Sequence, residues 1–221
     1  MEIYEKYLMK EMDDSLFDEW ETVKSVLESD CRPFLKEAIG ASSLLLEGVN
    51  SSPNTFKKMS VKVNKNKQYK EIATISKKIH GWNIRDGVLT TTSYDNAKYG
   101  GQPVIVMPIG KFKYAWAVDI ELFYDTYDAW GSDDAWEKKM EQALKKYHTN
   151  NLKKYLSSSV RSGECIINCN SYYRVNYKFN DLIIDYLGGN SKSASNKPQM
   201  KVRKTGVIKK IFKDITGDFQ I

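Results

Sequence analysis

Two spacings of apolar residues divide this chain, and their order restricts the folds open to it. Between residues 13 and 30, Leu16, Phe17, Trp20, Val23 and Leu27 recur three or four positions apart, the period of one helix face. Ser15 and Asp18 have the spacing of a capping box for that helix. Cys31-Arg32-Pro33 breaks it, Pro33 opens a short second helix through Ile39, and Gly40 ends that one. Beyond residue 40 the apolar residues come mainly in short runs closed by Gly, Pro or Ser. Leu44–Val49, Val88–Thr92, Val104–Met107 and Lys113–Ile120 read as strands. Asn50–Asn66 is polar and lysine-rich and reads as a long loop. Helices are predicted where Tyr69, Ile72, Ile75 and Ile79 share a face up to His80-Gly81, and over Tyr94–Tyr99 before Gly100-Gly101. A further helix capped by Asp133/Asp134 carries Trp136, Met140, Leu144 and Tyr147 on one side. Glu164–Cys169 and Tyr172–Tyr177 read as a hairpin around an Asn-Ser turn. Helices first, then strands broken by short helices, predict one α+β domain over residues 13–187. A Gly/Ser/Asn-rich linker (188–200) and a basic tail (201–221) follow it.

Composition narrows the function classes. Aromatics make up 12% of the chain, including 14 Tyr and 5 Trp, which suits a packed globular domain. No apolar run approaches the roughly 20 residues of a membrane-spanning helix, so a soluble protein with no membrane partner is expected. The first residues alternate charge and aromatics, unlike a secretory leader. Three cysteines (Cys31, Cys165, Cys169) and two histidines form no metal-ligand spacing, so free thiols and no metal are expected. The net charge is +6, and the stretch Lys201–Lys213 alone holds six basic residues and no acid. That tail reads either as a contact for nucleic acid or an acidic partner, or as a terminal strand with a solvated lysine edge.

Three blocks in the chain share an order with a known signature. The first is Leu45-Leu46-Glu47-Gly48-Val49. The second is Gly87-Val88-Leu89-Thr90-Thr91-Thr92-Ser93, followed by Ala97 and Tyr99-Gly100. The third is Ser162-Gly163-Glu164-Cys165-Ile166-Ile167. Together they resemble the NAD-binding signature of the ADP-ribosyltransferases: an Arg-Gly strand, a Ser-Thr-Ser-like strand with a short helix, and a late strand opened by the catalytic Glu. Asp30–Glu37 (DCRPFLKE) and Met107–Trp116 (MPIGKFKYAW) are similar to uncharacterised tailed-phage proteins of that type, so the resemblance spans roughly residues 25–175.

The resemblance implies a split, antiparallel-rich sheet behind N-terminal helices and NAD as substrate. It implies Glu164 as the catalytic carboxylate, beside an oxocarbenium-like ribose centre. Gly48, Thr90, Thr91 and Thr92 would line the NAD site, and Tyr94 or Tyr99 would stack on the nicotinamide. Glu47 stands where the family has Arg. Either Arg85 or a lysine of residues 57–70 compensates, or NAD is no longer bound. The family's arginine-directed members carry Glu or Gln two residues before the catalytic Glu; Ser162 is there instead, so the acceptor is left open between a host protein and nucleic acid.

The segment Met1–Glu11 is similar to the capsid-targeting peptides of T-even-like phage internal proteins, which makes residues 1–12 either such a peptide or an ordinary amphipathic first helix. The first alternative implies packaging in the virion head and action in the host cytoplasm. Two readings follow: an NAD-using transferase that modifies a host target, or the same fold kept as a non-catalytic binding protein for a host factor or nucleic acid, including one packaged inside the head.

Overall fold

The computed structural model describes residues 14–61, 67–118, 136–157 and 163–189. Helix α1 (Asp14–Asp30) is followed by α2 (Arg32–Ala38), β1 (Leu46–Val49), β2 (Phe56–Ser60), α3 (Lys67–His80) and β3 (Val88–Thr90). Then come α4 (Tyr94–Tyr99), β4 (Gln102–Pro108), β5 (Lys113–Ala117), α5 (Trp136–Leu144) and α6 (Leu152–Ser157). Strands β6 (Glu164–Asn168) and β7 (Ser171–Asn176), a 3-10 turn (Tyr177–Phe179) and α7 (Asn180–Tyr186) complete the order. The chain is α+β, as the sequence predicts.

Among the described residues seven strands form two sheets with antiparallel pairing throughout: β1-β4-β7-β2 and β3-β6-β5. The apolar stripe of α1 is buried at Trp20, Val23 and Leu27, and Trp20 meets Phe179 and Tyr186 at ring-centre distances of 6.5 and 6.2 Å. α7 thereby returns to the first helix. The four-stranded sheet shares one core with α1, α2, α6 and α7. The three-stranded sheet contributes Cys165 and Ile167 to that core. Its opposite face, with Ala115, Ala117 and Ile166, packs with Ile72 and Ile75 of α3 and Met140 and Leu144 of α5. Being covered on both faces is why β6 reads as an unbroken apolar run rather than an alternating one.

Four sequence expectations need correction. β6 and β7 are consecutive but do not form a hairpin: β6 pairs with β3 and β5, and β7 with β4 and β2, so Cys169-Asn170 carries the chain between sheets. The loop read over Asn50–Asn66 contains β2, an edge strand with Lys57 and Lys58 exposed. Ser15 lies inside α1 rather than at its cap. Helices α6 and α7 are not expected from the sequence: each is short, and α7 starts from Phe179 with no side-chain cap, unlike α4 with Ser93 or α2 with Pro33. Residues 1–12, the linker beyond residue 189, the tail 201–221, Ser162 and Asp133/Asp134 lie outside the described residues.

Candidate functional site

The three sequence blocks meet where the two sheets join. Thr91 N–H donates to Leu46 C=O at 2.9 Å and Leu46 N–H to Thr91 C=O at 2.7 Å, an antiparallel bridge between the edge of one sheet and the edge of the other. On its far side β3 pairs with β6, Thr90 standing opposite Cys165. One more step along that register sets the Thr91 backbone beside Glu164. Residues drawn from positions 46–48, 90–92 and 164 are therefore adjacent strands of one junction.

Glu164 opens β6 and is 3% exposed. Gly163 before it packs where a Cβ would come within 2.8 Å of the Ala117 carbonyl oxygen, which fixes the strand's entry. Glu164 alternates with Ile166 on the α5 side of the sheet, and the Tyr147 hydroxyl donates to its Oε1. Burial drives the Tyr147 phenol far above its ordinary value, the Glu164 carboxylate adds to that, and the Arg85 charge opposes it. Arg85, Tyr147 and Glu164 thus form one electrostatic group. Arg85 is held in the turn before β3, where its N–H donates to Asn83 Oδ1 at 3.1 Å and Ile84 N–H to Ser76 Oγ at 2.9 Å.

The threonines do not share a surface. Thr90 is 2% exposed, lies on the Cys165 face opposite to Glu164, and donates its hydroxyl to the Cys165 carbonyl at 2.7 Å. That hydroxyl serves the strand pairing, and Thr90 does not line the Glu164 side. Thr91 Oγ1 accepts from Ser93 N–H at 3.1 Å. Ser93 caps α4, its Oγ accepting from Asn96 N–H at 3.3 Å. Burial raises the Tyr155 phenol, and contacts with Thr92 and Thr91 oppose that rise.

Gly48 has a packing role that the sequence alone leaves unexplained. A Cβ there would sit 2.1 Å from the Ala97 carbonyl oxygen and 2.8 Å from Gly100 Cα, so β1 lies directly on the end of α4. Gly101, at φ 135°, would place a Cβ 2.4 Å from Val49 O. The first block thus needs its glycine to let α4 of the second block approach.

Glu47 is the largest difference from the expected compensation. Among the described residues the partner charge comes from a strand the sequence did not point to. Arg174 on β7 supplies it: its Nε and Nη2 donate to Glu47 Oε2 and Oε1 at 2.9 and 2.7 Å, across the width of β4. The Tyr172 hydroxyl also reaches Glu47 Oε2 at 3.4 Å. Glu47 holds Arg174 above its ordinary value, while burial first and Glu47 second push Tyr172 up to about 12. A guanidinium therefore does stand beside position 47, contributed by another strand. Glu47 and Glu164 lie in different sheets and have different partners.

Tyr94 and Tyr99 sit at opposite ends of α4. Tyr94, 42% exposed, packs on Tyr177 at 4.9 Å between ring centres, and Tyr99 is 91% exposed. Five positions apart on a helix, they face different directions. A groove of about 580 Å³ lies elsewhere, at the Asn168 end of β6, and none of the residues above lines it. All three cysteines are free and buried. Among the described residues no His/Cys/Asp/Glu group is arranged to hold a metal, and no helix is long and apolar enough to cross a membrane.

Comparison with known proteins returns no match to a family model, a curated protein or a solved structure.

Proposed function

We propose that this chain is an ADP-ribosyltransferase-type protein that takes NAD at the junction of its two sheets, with Glu164 as the carboxylate beside the reacting ribose. The observation that carries this reading is the junction itself. Three blocks far apart in sequence, each resembling one part of an NAD-binding signature, lie on adjacent strands through the Leu46–Thr91 bridge and the Thr90–Cys165 register. In the reaction the nicotinamide–ribose bond breaks and nicotinamide leaves with the bonding pair. A nucleophile of the acceptor then bonds to the ribose carbon and gives up its proton to solvent. Glu164 would balance the positive charge that develops on the ribose. Arg174, which spends two of its five N–H donors on Glu47, would offer the remainder to a phosphate. The acceptor is a host protein or a nucleic acid, and the setting is the host cytoplasm after packaging in a phage head.

A second reading is favoured by the burial of Glu164 under Tyr147. A carboxylate already engaged by a phenol is what a fold kept for binding alone would show. Incubating the purified protein with labelled NAD and host lysate separates the two. Transfer of label to a discrete acceptor, abolished in Glu164→Gln, supports the transferase. Absence of NAD binding by calorimetry, with the protein folded, leaves the binding reading.

A further inference from the structure

The groove at the Asn168 end of β6 lies where two of the connections between the sheets run: residues 109–112, joining β4 to β5, and Cys169-Asn170, joining β6 to β7. The first connection is pinned by Gly110 N–H donating to Asp30 C=O at 2.8 Å and Ile109 N–H to Ser171 C=O at 3.0 Å. It turns at Gly110, where φ is 65°. Fixing that turn sets Lys111-Phe112-Lys113-Tyr114 along one wall. Both lysines are exposed, and both rings are half-buried. Phe112 stands 5.9 Å from Tyr114 and 5.9 Å from Phe34, ring centre to ring centre, so the aromatic wall is backed by the core. Asn170 adds an amide, and Glu37 of α2 supplies the one carboxylate of the lining.

We propose that this groove binds single-stranded nucleic acid, phosphates on Lys111 and Lys113 and bases against Phe112 and Tyr114. Two exposed lysines beside two half-buried rings in one groove lining are the two elements such a site needs: charge for the backbone and a flat apolar surface for any base. The volume falls within the range of ligand sites, and the groove is open to solvent, so a strand can run through it. Phe112 and Tyr114 favour nucleic acid over an acidic peptide, which has carboxylates but no flat base to lay against the rings. Toward a base Glu37 is an acceptor for an amino group such as cytosine N4. The site is separate from Glu164, which lies at the opposite end of β6, about 13 Å away at the usual strand rise.

The test is fluorescence anisotropy of a labelled oligo(dC) with the full chain, Lys111→Glu/Lys113→Glu, and Lys209→Glu/Lys210→Glu as an equal charge change in the tail. The groove variant is expected to bind at least tenfold more weakly in low salt, with a salt slope shallower by about 1.4, from two lost phosphate contacts. The tail variant retains the parent slope. An unchanged thermal midpoint in the groove variant shows that it is folded, since both lysines are exposed. Glu164→Gln should bind as the parent does, so failure of the NAD reading leaves this result standing. Equal losses in the two variants, no binding by the parent, or equal competition by poly-glutamate would overturn the proposal.

Discussion

Glu164 is held in the interior by a phenol, and that contact has consequences at the scale of single atoms. The Tyr147 hydroxyl donates to a buried carboxylate, so removing that hydroxyl should destabilise the fold by about 1–3 kcal/mol. Urea unfolding of Tyr147→Phe measures this, while Glu164→Gln keeps an acceptor for the phenol and should lose less. If Tyr147 positions Glu164 for NAD, Tyr147→Phe should also lower kcat more than it alters KM. The cysteines give a second prediction at this scale. Burial pushes Cys31 up to about 12 and Cys169 up to about 11, and it raises Cys165 as well. At pH 8 the folded protein should leave a disulfide reagent such as DTNB unreacted over minutes, whereas all three thiols react in denaturant. Rapid labelling of the native protein would contradict the burial.

Between elements, two contacts tie the candidate site together, and each can be broken alone. The Glu47–Arg174 pair links β1 to β7 across β4, with only 20% and 23% of the side chains exposed. Glu47→Arg sets two guanidiniums face to face and should cost about 1–3 kcal/mol, and adding Arg174→Glu should recover most of it. A chemical-denaturation cycle over the four proteins measures the coupling, and purely additive losses would dissolve the pair. Gly48→Ala drives a methyl into the Ala97 carbonyl, with an expected loss on the order of 3 kcal/mol, roughly 10 °C in Tm for a chain of this size.

The same elements show which parts of the fold could be read in advance. Helix α4 was legible to the residue because Ser93 and Gly100-Gly101 punctuate both ends. Strand β2 was not, since an edge strand buries little and protects itself with lysine, which in sequence is indistinguishable from a polar loop. The β6–β7 connection looks like a hairpin turn because a two-residue link between strands is the usual hairpin pattern, and only tertiary pairing shows the change of sheet. Arg174 carried no local mark. Its meaning depends on Glu47, 127 positions earlier. Glu164 was singled out through resemblance alone, since one Glu before an apolar run says little by itself.

For the whole molecule, the repeated crossing of the chain between the two sheets sets the layout: a sheet junction with Glu164 at one end of β6 and a lysine-aromatic groove at the other. Packing that spans both sheets should also govern alkaline stability. Cys31, Cys169, Tyr172 and Tyr173 all have values raised to about 11 or 12 in the fold, from ordinary values of 9.0 for the thiols and 10.0 for the phenols. The unfolded chain loses these protons first, so the native state binds more of them and stability falls as pH rises from about 9 toward 12. Thermal midpoints at pH 8, 10 and 11 should decline in that order, and a flat profile would contradict the assigned burial.

The central claim is that the sheet junction is an NAD site built around Glu164, and release of nicotinamide from NAD by the purified full chain tests it most directly. Slow release is expected from the parent protein, with a loss of about 100-fold or more in Glu164→Gln while that variant remains folded. Release that is equal in the two proteins would remove Glu164 from the chemistry. No release by either protein, with no NAD binding, would contradict the claim and leave a two-sheet scaffold whose work lies elsewhere.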